Sequence, residues 1–118
     1  MHQFSEEYFE NLGFKVIGVK SKSVSTRNGE RVFKSWFGML PVVCATVWYH
    51  LEHTKALDRA PRQSVSPIHL LMGLHFLKNY HTVDKSASDF HCDVKTYLQW
   101  SWFFVKAIAQ LDSKIVSD

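Results

Sequence analysis

The chain has 118 residues, 46% hydrophobic and 14% aromatic, with a formal net charge of +3. That length suits one domain, and that composition fills a packed core and excludes a chain that is disordered throughout. No run approaches roughly eighteen uncharged apolar residues, and the opening MHQFSEEYFE carries acids where a secretory signal has a basic then an apolar run. The expectation is an intracellular protein with no membrane span.

The charge is unevenly spread. Lys15, Lys20, Lys22, Arg27, Arg31 and Lys34 face Glu30 alone, a net +5 within the N-terminal third. From Ser66 to Asp118 five lysines face five aspartates and cancel. Cys44 and Cys92 are too few for a disulfide framework and are expected to be free thiols.

Ser5 is a candidate N-cap, Glu6 and Glu7 suit a first helical turn, and Gly13 offers a stop, which predicts a short helix over 6–12. Phe4 and Phe9 are placed to form a staple across its start. Residues 14–37 are open between two states. Val16, Ile17, Val19 and Val24 favour extended structure around an Asn28-Gly29 turn, whereas the serines and lysines of 20–25 suit a mobile arm. The balance leans to a flexible or weakly extended basic arm.

Leu40, Val43, Cys44, Val47, Trp48 and Leu51 recur at helical spacing, with Pro41 in the first turn where its missing N–H costs nothing. Residues 55–65 read as a loop. A second helix opens at Ser66 with Pro67 at its first position and is predicted to end near Tyr80. Its stripe of Leu70, Leu71, Leu74 and Leu77, widened by Ile68, Met72 and Phe76, marks it as central. A short helix over 85–90, capped by Asp84, and a helix of roughly 30 Å from about Asp93 to Asp112 complete the chain. Tyr97, Trp100, Phe104, Ile108 and Leu111 form the core stripe of the last helix, extended sideways by Trp102, Val105 and Ala109. The fold class expected is all-α: a small helical bundle over 38–118 containing a helix-turn-helix at 83–102, preceded by a short helix and basic arm over 1–37.

The stretch VDKSASDFHCDVKTYLQWSW, Val83 to Trp102, carries the functional signal. A helix-turn-helix needs a small residue where its helices cross, an apolar residue three places on, a turn residue that tolerates positive φ, and apolar residues facing back from the second helix. Ala87, Phe90, His91 then Cys92, and Tyr97 with Trp100 stand at those offsets. Glycine is usual at the turn, and histidine is among the residues enriched there. If the second helix enters a major groove, Asp93, Lys95, Thr96, Leu98 and Gln99 meet the bases: Gln99 suits adenine, Lys95 guanine or a phosphate, and Leu98 a thymine methyl. The same residues equally suit the solvated face of a bundle helix.

Three pieces of the chain resemble the N-terminal region of Harbinger-like DDE-type transposases and proteins derived from them. They are RVFKSWFGMLPVVCATVW (Arg31 to Trp48), SPIHLLMGLHFLKNY (Ser66 to Tyr80) and DVKTYLQWSWFFVKAIAQLDSKIV (Asp93 to Val116). In that family this region is a helical DNA-binding domain ahead of a nuclease domain that holds metals on three acidic residues. The resemblance implies recognition of double-stranded DNA at transposon ends, a nuclear location, and no cleavage by this chain, which stops where the nuclease would begin. It departs from the pattern at His91 and in the lack of net positive charge on its second half. Affinity for a duplex comes largely from neutralising phosphates, so the arm residues Lys15, Lys20, Lys22, Arg27, Arg31 and Lys34 are candidates to supply it, a solvated linker being the alternative.

Other chemistries find little footing. The seven histidines include no pairing of the kind zinc requires, so no metal and no cofactor is expected. Cys92 beside His91 does not make a nucleophile-base pair, the carboxylates form no spaced pair, and no glycine-rich phosphate loop exists. Trp48 and Trp100 fall on core stripes rather than on a stacking platform. The rival class is a protein-interaction module, a helical bundle that docks a partner protein or a second copy through an aromatic edge such as Trp102 with Phe103.

Overall fold

The computed structural model describes residues 4–18, 26–61, 64–78 and 82–117, with backbone alone for 26–28 and 112–117. Within them the chain is all-α. Six helices run α1 Glu6–Ile17, α2 Thr26–Phe37, α3 Pro41–His53, α4 Pro67–Lys78, α5 Val83–Asp89 and α6 Val94–Ser117, with a 3-10 turn at Ala56–Arg59.

α1 starts as expected, with the Ser5 hydroxyl accepting from the Tyr8 N–H at 3.3 Å. It does not stop at Gly13. That glycine is buried inside the helix, where the Phe33 ring of α2 comes so close that a Cβ would collide with it. The true stop is Gly18, whose φ of 88° is open to glycine at no steric cost and whose N–H reaches the Phe14 carbonyl at 2.9 Å. The staple also differs: Phe4 packs on Tyr8 at 4.8 Å and edge-on to Trp48 at 5.8 Å, while Phe9 is wholly buried in the core.

The extended or mobile arm is corrected over its described residues. Residues 14–17 continue α1 and 26–37 form α2, with Asn28-Gly29 inside the helix rather than at a hairpin turn. The physical reason is a face of period four: Gly29, Phe33 and Phe37 turn inward while Arg31, Lys34 and Ser35 stay in water. Burial of two phenylalanines outweighs the local turn preference of the Asn-Gly pair. The expected strand residues Val19 and Val24 lie outside the described residues.

α3 and α4 each begin on a buried proline. The inward face of α3 is Pro41, Cys44, Ala45, Trp48 and Leu51, so Val43 is 42% exposed rather than on the core stripe. The expected loop that follows contains the 3-10 turn, entered through Lys55 in the left-handed conformation. α4 is central, with Leu70 to His75 all buried, but Leu77 at its end is 57% exposed and leaves the predicted stripe. At its start the Ser66 N–H donates to His69 Nδ1 at 3.0 Å, and the His69 ring lies flat on Trp100 at 3.8 Å.

α6 lies against α4 at close range. A Cβ at Gly73 would stand 2.8 Å from Phe104 Cβ, and the Ser101 hydroxyl reaches across to the Met72 carbonyl at 3.4 Å. Tyr97, Trp100, Ser101, Phe104, Ala107 and Leu111 form its inward face. Ile108 is half-buried, and Trp102 and Ala109 are exposed instead of extending the core. No single helix among the described residues is long and apolar enough to cross a membrane.

Candidate nucleic-acid interface

The α5–α6 unit is built from its caps inward. Thr82, not Asp84, caps α5: its hydroxyl accepts from the Lys85 N–H at 3.2 Å. At the far end the His91 N–H bonds the Ser88 carbonyl at 3.0 Å and the Cys92 N–H bonds the Ala87 carbonyl at 3.0 Å. That pair of bonds is a Schellman closure, which requires a left-handed residue at its hinge. His91 supplies it with φ 58°, one of two non-glycine residues at positive φ among the described residues.

The turn places each helix-turn-helix candidate. Ala87 and Phe90 are buried, Cys92 is half-buried, and Tyr97 and Trp100 are closed from solvent. The Phe90 ring sits 5.8 Å from Tyr97 and 5.7 Å from His75, tying the turn to both α6 and α4. Burial raises the Tyr97 phenol; the neighbouring Ser86 and Ser101 hydroxyls offset part of that, though neither meets it in good hydrogen-bond geometry.

The five residues expected to face bases have distinct situations. The Asp93 carboxylate accepts the Thr96 N–H at 2.7 Å and so caps α6, with its negative charge at the positive end of the helix dipole. Lys95 and Gln99 are exposed, and Thr96 and Leu98 are half-buried. Lys95, Gln99, Trp102 and Lys106 follow one another along the exposed side of α6 at spacings of four, three and four. Asp84, Lys85 and His91 are exposed nearby in sequence, so this end of the unit carries acids as well as bases.

Of the six arm residues, Lys15 is exposed in the last turn of α1 and Arg31 and Lys34 are exposed on α2. Lys20, Lys22 and the side chain of Arg27 lie outside the described residues. α2 reaches the α5–α6 turn through α4: His75 Nδ1 is 3.1 Å from the Trp36 carbonyl, and its ring meets Phe90. Lys34 sits four residues before Gly38, whose backbone lies against the Lys78 stem at the end of α4.

Both cysteines are free. Burial pushes the Cys44 thiol up to about 12, and burial together with the Asp93 carboxylate raises Cys92, so neither is poised as a nucleophile. No group of three or more histidine, cysteine or acidic side chains among the described residues is placed to hold a metal ion. Thr82 as a cap, His69 as a backbone acceptor and the buried position of His75 were missed by sequence reasoning. Thr82 alone left a signal, an N-cap residue directly before an apolar helical position. Comparison with protein-family models, with curated proteins and with solved structures returns no match.

Proposed function

We propose that this chain is a non-catalytic binder of double-stranded DNA, with α5 and α6 acting as a helix-turn-helix. The observation that carries it is the His91 hinge, which closes α5 across the start of α6 and leaves Lys95 and Gln99 exposed at the N-terminal end of the longer helix. That is the end from which a recognition helix reaches bases. Lys95 and Gln99 take the base contacts, with Thr96 and Leu98 at the edge of the same surface. Asp93 acts through its cap and orients the helix without touching bases. Exposed Lys15, Arg31 and Lys34 contribute phosphate neutralisation, which the balanced charge of the second half does not supply. The resemblance to Harbinger-like transposases supports transposon-end recognition as the specific role and the nucleus as its place.

Selection from a pool of random duplexes tests base reading directly. A shared sequence should emerge with the parent protein, and Gln99→Ala should relax preference at one position of it. Recovery of an unbiased pool by the folded parent would overturn the proposal.

A second reading, a docking or dimerisation module, is favoured by one observation. Trp102, 51% exposed, packs on Phe76 of α4 at 5.4 Å, so α4 and α6 together present an apolar edge. A mass in solution that doubles with concentration, and reverts in Trp102→Ser, would support it over the DNA reading.

A further inference from the structure

A cleft of about 450 Å³ lies between the Ala56–Arg59 turn and the C-terminal half of α6, away from the α5–α6 turn in sequence. Its volume falls in the range of small-molecule sites, roughly 300–1,000 Å³. Phe103, Ala107 and Leu111 give it an apolar floor, Phe103 half-buried and the other two buried. Three exposed cations line it, Lys55, Arg59 and Lys106, against one described carboxylate, Asp58. No ion pair between described residues engages any of the three cations.

A second, independent feature marks the same place. Lys55 holds φ 61° and ψ 22°, a left-handed conformation that glycine or asparagine adopts more readily. The turn it makes carries the chain out of α3 and brings Lys55 and Arg59 to one cleft. Strain retained at a residue that lines a cavity is a recurring mark of ligand sites.

We infer that this cleft binds a small amphipathic organic anion, a carboxylate on a medium-length apolar body. The apolar portion covers Phe103, Ala107 and Leu111, and the carboxylate meets the Lys55, Arg59 and Lys106 charges, where a partly desolvated anion gains most from more than one cation. An uncharged ligand of the same shape would leave those cations as they are and gain only the apolar contact.

The test is a titration of the full chain with octanoate, followed by the backbone amide resonances of Lys55, Ala56, Lys106 and Ala107, with octanol as the uncharged control. Saturable shifts at these amides are expected, with octanol and the exposed-site double variant Arg59→Gln/Lys106→Gln each weaker by roughly tenfold or more. An unchanged thermal melt of the variant shows that the loss belongs to the site. The proposal is overturned if the four amides do not shift saturably, if octanol binds as well, or if the folded double variant keeps its affinity.

Discussion

The imidazole of His75 lies beside the Trp36 indole, ring centroids 5.2 Å apart and 20° from parallel, and its Nδ1–H donates to the Trp36 carbonyl at 3.1 Å. His75 is fully buried on α4 and Trp36 stands in the last turn of α2, so this contact fastens the helix that carries Arg31 and Lys34 to the centre of the fold. His75→Leu keeps the volume but leaves the carbonyl without this donor. A loss of about 1 kcal/mol is expected by urea unfolding at neutral pH, the usual net worth of one part-buried hydrogen bond. Unchanged stability would show that the carbonyl is satisfied without His75.

His91 holds a position that glycine fills without steric cost. His91→Gly should stabilise the chain by about 1 kcal/mol, the relief of a left-handed Cβ set against the greater freedom glycine has when unfolded. A thermal melt reads the change. Destabilisation instead would mean that the imidazole makes contacts worth more than the strain.

Cys44 is fully buried, and burial holds its thiol protonated up to about 12 against an ordinary 9.0. Below pH 9 the folded and unfolded chains both carry the proton, so this contribution to stability is complete. As pH rises from 9 towards about 12 the unfolded chain ionises first, and stability falls. The loss is at most about 4 kcal/mol for a gap of that size. Tyr97, also raised by burial, adds to the decline in the same direction. Urea unfolding across this range should show the fall, and Cys44→Ala should flatten it. In native protein near neutral pH a thiol reagent should modify Cys92 slowly and reach Cys44 only in denaturant.

Gly73 sets the spacing of α4 and α6. An added methyl would sit 2.8 Å from Phe104 Cβ and 3.5 Å from the Ser101 carbonyl, so the helices must part to admit it. Gly73→Ala should cost about 1–3 kcal/mol despite alanine's better helix propensity. A gain in stability by calorimetry would contradict so close an approach.

The sequence is most legible where one residue has a single physical use. Pro41 and Pro67 fit a first helical turn and mark the starts of α3 and α4. His91 is found at positive φ because the offset from Ala87 and Phe90 leaves the turn no other hinge. The helix at 26–37 is missed because Asn28-Gly29 is a strong local turn signal, while the competing period of Gly29, Phe33 and Phe37 draws its force from partners on α1 and α4 far away in sequence. Val43 and Leu77 keep helical spacing yet face water, since a stripe read along one helix does not say where its neighbours end. In the candidate interface, the exposure of Lys95 and Gln99 is readable from their spacing. Asp93 fits two patterns in the sequence, base contact and helix cap, and the 2.7 Å bond to the Thr96 N–H shows the cap.

On this reading α6 grips and reads a duplex. The deciding experiment is fluorescence anisotropy of the full chain against two labelled duplexes, one random and one carrying the selected sequence, at low and at moderate salt. Affinity should fall steeply as salt rises, fall roughly uniformly across sequences with Arg31→Ala/Lys34→Ala, and fall with Lys95→Ala/Gln99→Ala in chains whose melts match the parent. No binding at low salt, or binding indifferent to Lys95 and Gln99, would contradict it.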